Sequence, residues 1–245
     1  FTPLIAQVEL LWQNWHTDLS SGEKGSLVIT DANDEIWVVG IYGSITKLDV
    51  YGNTLFIIPD TINSFNPVAI KMDHDNKILV LGSYGIDFIG NKSIRLLKFE
   101  LDGSLIWDLK FNPINGNREF PSAMDIDEGN NIYVTGYKGT QHIGTFYTAK
   151  VWNSGSIAWE HNHTGPYFPS KHTGLDICAK DSNNIYAVGF VYVNSSNYKD
   201  AYIQKFNNLG NVIWSDAFSY HTWVGQFNMT SEFASKVNVD SLGNV

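Results

Sequence analysis

The sequence predicts an all-β protein built from repeated four-stranded units, and three observations indicate this class. Two short motifs alternate four times along the 245 residues. The segments within and between the motifs alternate apolar and polar side chains, as half-buried strands do. No stretch keeps a hydrophobic period of about 3.6 residues for more than about two turns, which an amphipathic helix would need.

The first motif is a turn rich in Asp and Asn, followed by Ile, an alternating apolar run and Gly. The run is β-branched and aromatic, which favours a strand. The Asx side chains favour a tight turn because they bond backbone N–H groups two residues on. The residues before the turn also alternate, so the motif predicts a hairpin of two strands, a and b. Its copies are Asp31–Gly40, Asp73–Gly82, Asp127–Gly136, Lys180–Gly189 and the beginning of a fifth, Asp240–Val245.

The second motif is a lysine, a glycine five residues later and a large aromatic residue four residues after that. It predicts a second hairpin, in which the glycine lies in the turn and the aromatic residue on the outgoing strand. We name these strands c and d. The copies are Lys47–Phe56, Lys98–Trp107, Lys150–Trp159, Lys205–Trp214 and the tail of a further copy, Val8–Trp12.

Four-stranded units with a recurring Trp and a period of 44 to 55 residues are typical of β-propeller blades. A single blade has two apolar faces, and radial stacking buries them; each aromatic residue of strand d buries about 150–250 Å². We therefore predict one domain over 1–245, with a fifth blade split between the two ends. Since the split blade lacks strand c, we expect the chain to be a piece of a longer protein. The predicted complete blades are residues 22–60, 66–112, 121–163 and 173–218, and the split blade is 1–14 with 233–245.

The two motifs together resemble the SBBP β-propeller repeat, a family of secreted and surface proteins of bacteria and archaea. The resemblance covers roughly residues 8–245; the third and fourth copies match best, and the first departs most because Phe56 replaces Trp. It implies a propeller and an extracellular or cell-surface location, which an Asn- and aromatic-rich, Lys-poor surface also fits. The family has no agreed catalytic residues, so none is transferred. The copy Lys98–Trp107 also resembles the outer-strand motif of quinoprotein propellers, which implies an oxidoreductase as the alternative.

Charge and composition exclude several classes of function. The net charge of −9 argues against a nucleic-acid partner and against docking on anionic lipid, both of which require a basic face. The apolar runs Ile36–Ile41 and Ile78–Leu81 are far shorter than the roughly 20 residues that insert into a membrane. The one cysteine, Cys178, excludes internal disulfides and cysteine-rich zinc sites.

In an a-b-c-d meander the b–c and d–a loops leave the blade on the same face, and these loops are the long, variable ones. Loops on a rigid scaffold commonly carry binding. Rings beside Asn, Ser and His suit stacking on sugars or anchoring a protein partner. The alternative is that the rings only pin long loops to the blade edges. The predicted binding residues are Tyr84, Phe120, Tyr137, Tyr167, His172, Tyr192 and Trp223.

Two further groups have a weaker signal. His161 and His163 share a strand face and, with His172, are the weak metal candidates; solvated loop histidines are the alternative, and no metal site or cofactor is predicted. Five polar residues on the innermost strands are predicted to line an axial channel, either water-filled and structural or catalytic. These five are Lys71, Asp125, Asp176, Lys236 and Asn238.

The sequence thus predicts a non-catalytic recognition or structural module, displayed extracellularly or on a cell surface. Its expected partner is a glycan, a surface protein or another copy of itself. One alternative is a propeller enzyme, either a quinoprotein-like oxidoreductase or a carbohydrate-active hydrolase or lyase. Another is a subunit of a surface assembly. No residue pair has a spacing that dictates acid–base catalysis, so no catalytic residue is predicted.

Overall fold

A computed structural model describes residues 25–59, 65–85, 91–111, 118–140, 142–165, 171–192, 199–218, 223–224, 227–228 and 231–245. The predicted strand at Val8–Trp12 lies outside these ranges. All regular elements among the described residues are β-strands. The described part of the chain contains no helix with the length and apolar character that a membrane crossing demands.

The strands follow the predicted a-b-c-d order four times. The first sheet contains β1 (Gly25–Thr30), β2 (Ile36–Gly40), β3 (Ile45–Leu48) and β4 (Thr54–Ile58). The second contains β5 (Asn66–Met72), β6 (Ile78–Gly85), β7 (Lys92–Phe99) and β8 (Leu105–Lys110). The third contains β9 (Arg118–Ile126), β10 (Ile132–Gly139), β11 (Gly144–Val151) and β12 (Ile157–His163). The fourth contains β13 (Thr173–Asp181), β14 (Asn184–Tyr192), β15 (Lys199–Phe206) and β16 (Val212–Phe218), and a short hairpin follows with β17 (Trp223–Val224) and β18 (Phe227–Asn228).

Within each sheet, strands that are consecutive in the chain pair antiparallel. A parallel bridge between Lys92 and Arg118 joins the second and third sheets at one edge. The hydrophobic core lies between the sheets, in layers that each draw side chains from two neighbouring units. The architecture is therefore a β-propeller of four-stranded blades, as the sequence predicts.

Each a–b turn is organised by one aspartate. In the second blade, Oδ1 of Asp73 accepts the backbone N–H of Asp75 at 2.9 Å and of Lys77 at 2.8 Å. Asn76 has φ +59°, a left-handed conformation that Asx residues tolerate better than most. The turns at Asp31 and Asp127 repeat this arrangement. In the fourth blade Asp181 replaces the missing aspartate, one position later, and accepts the N–H of Asn183 at 2.8 Å.

The aromatic residue and the glycine of the second motif meet across the blade interface rather than within one blade. A Cβ placed on Gly155 would lie 2.8 Å from the ring of Trp107, closer than packed atoms approach. The indole N–H of Trp107 donates to the carbonyl oxygen of Asn153 at 3.1 Å. The next interface repeats both contacts with Trp159, Gly210 and Asn208, and the first places Phe56 against Gly103.

The lysine of the second motif completes this contact. Lys98 is 3% exposed, and its Nζ lies 2.6 Å from Oδ2 of Asp73 in its own blade. The same ammonium donates to Oδ1 of Asn153 in the next blade. Lys47 likewise joins the a–b aspartate of its own blade to the carbonyl of Leu101, 2.8 Å away in the following blade, and Lys150 donates to Asn208. We call this set of contacts the interblade lock. In it, the lysine and the aromatic ring of strands c and d in one blade contact the c–d turn of the next blade.

Residues 231–245 contain the fifth copy of the first motif. Oδ1 of Asp240 accepts the N–H groups of Leu242 at 2.9 Å and Asn244 at 2.8 Å, so the a–b turn forms. The segment before it is not paired as the predicted strand a; instead the N–H of Ala234 donates to the carbonyl of Gly189 at 3.1 Å. The fifth, split blade therefore stays a prediction.

Replacing Gly155 with Ala tests the glycine–tryptophan contact. A Cβ would meet Trp107 and would also strain a φ of +86°, so we expect the free energy of unfolding to fall by about 2–4 kcal/mol. In a Trp107→Ala background only the φ strain remains, and the same change should cost about 1 kcal/mol. Urea unfolding of all four proteins measures the difference. Equal losses in both backgrounds would contradict the contact.

Replacing Lys98 with Met tests the lysine. The Asp73 carboxylate, which is 0% exposed, would be left buried without a counter-ion, so we expect a loss of about 3–5 kcal/mol in unfolding free energy. The matched control is Lys205→Met in the fourth blade, where the lysine is half-buried and its described contact is the Tyr186 ring at 5.2 Å. We expect a loss below about 1 kcal/mol there, and similar losses for both variants would overturn the assignment.

Candidate functional site

The fold brings the described members of the predicted binding set to one edge of the blades, where the b–c and d–a connections leave. We call it the loop edge. Tyr84, Tyr137 and Tyr192 lie towards the end of a b strand, Phe120 lies at the start of β9, and His172 precedes β13. Tyr167 and the side chain of Trp223 lie outside the described residues.

Two of the predicted binding residues are buried. Tyr137 is 2% exposed, and its hydroxyl lies 3.1 Å from the carbonyl oxygen of Ile143; burial raises the pKa of this tyrosine. His172 is 0% exposed, and its Nδ1 accepts the N–H of Tyr192 at 3.1 Å. Both side chains hold connections against the blade, so their rings present no surface to a ligand.

The other described members of the predicted binding set, Tyr84, Phe120 and Tyr192, are half-buried, and each lies near a lysine. Lys110 Nζ is 5.9 Å from the centroid of Tyr84, and Lys92 Nζ is 5.7 Å from that of Phe120. Such distances allow a cation–π attraction of about 0.5–1 kcal/mol at an exposed site. In the fourth blade Lys199 lies 5.6 Å from Tyr192 and 4.2 Å from Phe190. The loop edge thus presents rings and ammonium groups side by side.

The sequence motifs did not predict the lysines at the loop edge, although the spacing of two of them indicates their position. Lys92 and Lys199 each stand six residues before a motif lysine, Lys98 or Lys205, on the same strand. Because side chains alternate along a strand, an even spacing places both on the same face. The c strands of the second and fourth blades therefore each carry the motif lysine near the turns, buried in Lys98 and half-buried in Lys205, and a second lysine at the loop edge.

The histidine pair belongs to the interface between the third and fourth blades. His163 stacks on Tyr202 with ring centroids 4.5 Å apart, and His161 meets Phe206 edge-on at 5.1 Å. Burial lowers the pKa of both, and for His163 burial with the neighbouring His172 lowers it to about 4. Both histidines lie on β12 and are half-buried, and their lowered pKa values keep the rings neutral near pH 7. Among the described residues, no three His, Cys, Asp or Glu side chains lie close enough to share a metal ion.

An open cavity of about 450 Å³ lies between the inner strands, and all five predicted channel residues line it. Asp125 joins three blades there: its Oδ1 is 2.5 Å from Lys71 Nζ, and its Oδ2 accepts the N–H of Ala179 at 2.8 Å. Asp176 is similar, with Lys236 Nζ at 3.3 Å and the N–H of Val237 at 2.9 Å. Both carboxylates are therefore engaged on both oxygens.

The chemistry that the axial cavity offers follows from these contacts. A general base needs a free oxygen pointing at a substrate proton, whereas Asp125 binds the neighbouring inner strands and Asp176 binds the segment 231–245. Burial, and then the nearby Asp125 carboxylate, raise the pKa of the Cys178 thiol in this cavity. A raised pKa keeps the thiol protonated and weakly nucleophilic at neutral pH. The arrangement favours a polar structural channel.

The four-stranded blades, the interblade locks and the axial cavity define a β-propeller protein. No protein-family model matches the sequence, and no protein with a curated description matches it either. Among solved structures, a streptogramin B lyase is 14% identical over 80% of this chain, with a TM-score of 0.48, and this chain spans about half of the lyase, 54%. A protein of unknown function from Bacteroides caccae is 12% identical, covering 83% of this chain and 85% of its own, with a TM-score of 0.45. A virginiamycin B lyase from Staphylococcus aureus is 11% identical, covering 82% and 74%, with a TM-score of 0.37.

The half-buried His163 predicts a pH dependence of stability. The pKa of His163 falls from 6.5 to about 4 on folding, so the unfolded chain binds more protons between these values. Stability is then fully present above about pH 6.5 and is lost as the pH falls towards about 4. We expect His163→Phe, which keeps a ring on Tyr202, to flatten the decline in unfolding free energy between about pH 6.5 and 4. Urea titrations across this range measure it, and an unchanged slope in the variant would contradict the assignment.

Proposed function

We propose that this chain is a non-catalytic recognition module of SBBP type, which acts outside the cell and binds a surface glycan or protein through its loop edge. The observation that carries the proposal is the row of half-buried rings faced by lysines at that edge. The SBBP resemblance supplies the extracellular or cell-surface location.

The opposite edge supports the proposal by contrast. There the c–d turns are held in interblade locks, with Gly103, Gly155 and Gly210 each against a ring of the preceding blade. A turn that must fit its neighbour cannot change without loss of packing. The connections at the loop edge differ in length and sequence from blade to blade, as binding loops on a scaffold do.

The chemistry of the loop edge indicates the partner. Tyr84, Phe120 and Tyr192 provide rigid apolar surface, and tyrosine is enriched where interfaces derive their binding energy. The lysines beside them donate hydrogen bonds and carry positive charge in a protein whose net charge is −9. A glycan or protein that bears carboxylate or sulfate groups fits both features. Attraction between exposed charges also makes binding weaker at high ionic strength.

The test is a double variant, Tyr192→Ala with Lys199→Ala, screened against acidic glycans and surface proteins. We expect affinity for the partner that binds the native chain to fall at least about tenfold, while the melting temperature changes by less than about 4 °C. The matched control is Trp152→Ala, which removes a 42% exposed ring next to a lysine, Lys150, at the opposite edge. We expect binding by the control to equal that of the native chain. Undiminished binding by the double variant, or equal loss in the control, would refute the proposal.

A further inference from the structure

The three described blade interfaces share the interblade lock. The positions of its lysine and aromatic ring are fixed by strand pairing within one blade. In all four blades the motif lysine and aromatic residue are cross-strand partners on strands c and d. In all four, the strand register shifts directly after the lysine. The lysine and the ring therefore stand in the same relation in every blade. The pairs are Lys47–Phe56, Lys98–Trp107, Lys150–Trp159 and Lys205–Trp214.

In the fourth blade the pair is Lys205 and Trp214, and no described c–d turn packs on it. Trp214 is 41% exposed, whereas Trp107 and Trp159 are each covered by a glycine and donate their indole N–H to a turn carbonyl. Lys205 points its ammonium at the ring of Tyr186, 5.2 Å away. Over the described ranges, no c–d turn lies against this lysine and ring. Among the described residues, the outer half of this blade face is thus uncovered, and we call it the socket.

The inner half of the same face is already occupied. Ala234, Val237 and Val239 pack against a buried cluster on strands b and c of the fourth blade. Nearer the turns, Lys180 Nζ donates to the carbonyl oxygens of Asp240 at 3.1 Å and Ser241 at 3.0 Å. The segment 231–245 therefore lies where the inner strand and first turn of a following blade belong. The socket is the outward continuation of that interface.

We propose that Lys205 and Trp214 form a binding site for an Asn-x-Gly tight turn at the tip of a β-hairpin. The carbonyl of the asparagine accepts the indole N–H of Trp214, and its side-chain oxygen accepts the ammonium of Lys205. The glycine lies flat on the indole ring, where a Cβ has no room. The filled interfaces of this chain indicate which turn fits the site. Asn153–Gly155 and Asn208–Gly210 make these contacts in the second and third interfaces.

This site differs from the loop edge in position and in partner. It lies at the c–d turn end of the outer strands, and it recognises backbone geometry rather than charge. A repeat of the same type that carries such a turn fits this site beside residues 231–245. The proposal does not rest on the function proposed for the loop edge.

The test uses a labelled hairpin peptide with the sequence of residues 150–158, which includes the Asn153–Gly155 turn, cyclised through its ends. Fluorescence anisotropy follows its titration with the intact chain. We expect saturable binding that weakens at least about tenfold with Trp214→Ala and with Lys205→Met. Both changes lie at incompletely buried positions, so the variants are expected to fold. The peptide change that corresponds to Gly155→Val should abolish binding by the native chain.

The matched control is Leu105→Ala, which removes a 52% exposed apolar side chain from the outer strand of a blade whose lock is filled. Binding of the peptide should be unchanged in this variant. The proposal is overturned if the native chain shows no saturable binding up to about 1 mM peptide. It is also overturned if Trp214→Ala binds as the native chain does, or if the valine peptide binds as tightly as the glycine peptide.

Discussion

The structure depends on an ammonium group buried between two blades. The lysine of the second motif, Lys98 in the second blade, is held by an aspartate of its own blade and by the c–d turn of the next. A buried charge that loses its partner destabilises a protein far more than the intact pair stabilises it. Each blade therefore satisfies its polar core fully only when the following blade is in place. This is the nearest-neighbour coupling expected of repeat proteins.

This coupling divides the molecule into a constrained edge and a free edge. The turns at one edge must fit a neighbouring ring, so their length, their glycine and their Asx residues recur. At the other edge the b–c and d–a connections vary in length, and rings such as Tyr84 and Tyr192 lie beside lysines. Along the axis, Asp125 binds the inner strand of the next blade, and Asp176 binds the segment 231–245. The surface that remains for recognition is therefore the loop edge, together with any blade face that lacks a neighbour.

Much of the fold could be predicted from local sequence patterns, whereas the burial and the contacts of individual side chains could not. The order of four strands, the turns and the repeat period were predicted because hydrogen bonds within about four residues and strand alternation determine them. Tyr137 and His172 were predicted to bind a partner, yet tertiary contacts bury both. His161 and His163 were interpreted as a solvated pair or a weak metal site, yet they pack on rings of the next blade. A loop ring that pins the chain and one that binds a partner look alike in sequence.

The sequence alone determined the class, the blade number among the described residues and the positions of the turns, since these depend on spacing and on conformational preferences of nearby residues. Only the tertiary structure showed what the recurring lysine does. It also showed why a glycine and a tryptophan recur in one motif although they act in different interfaces. Trp107 and its acceptor Asn153 are 46 residues apart, and Lys98 and the same asparagine are 55 apart. Contacts at such separations form only after whole blades have stacked, so no local pattern records them.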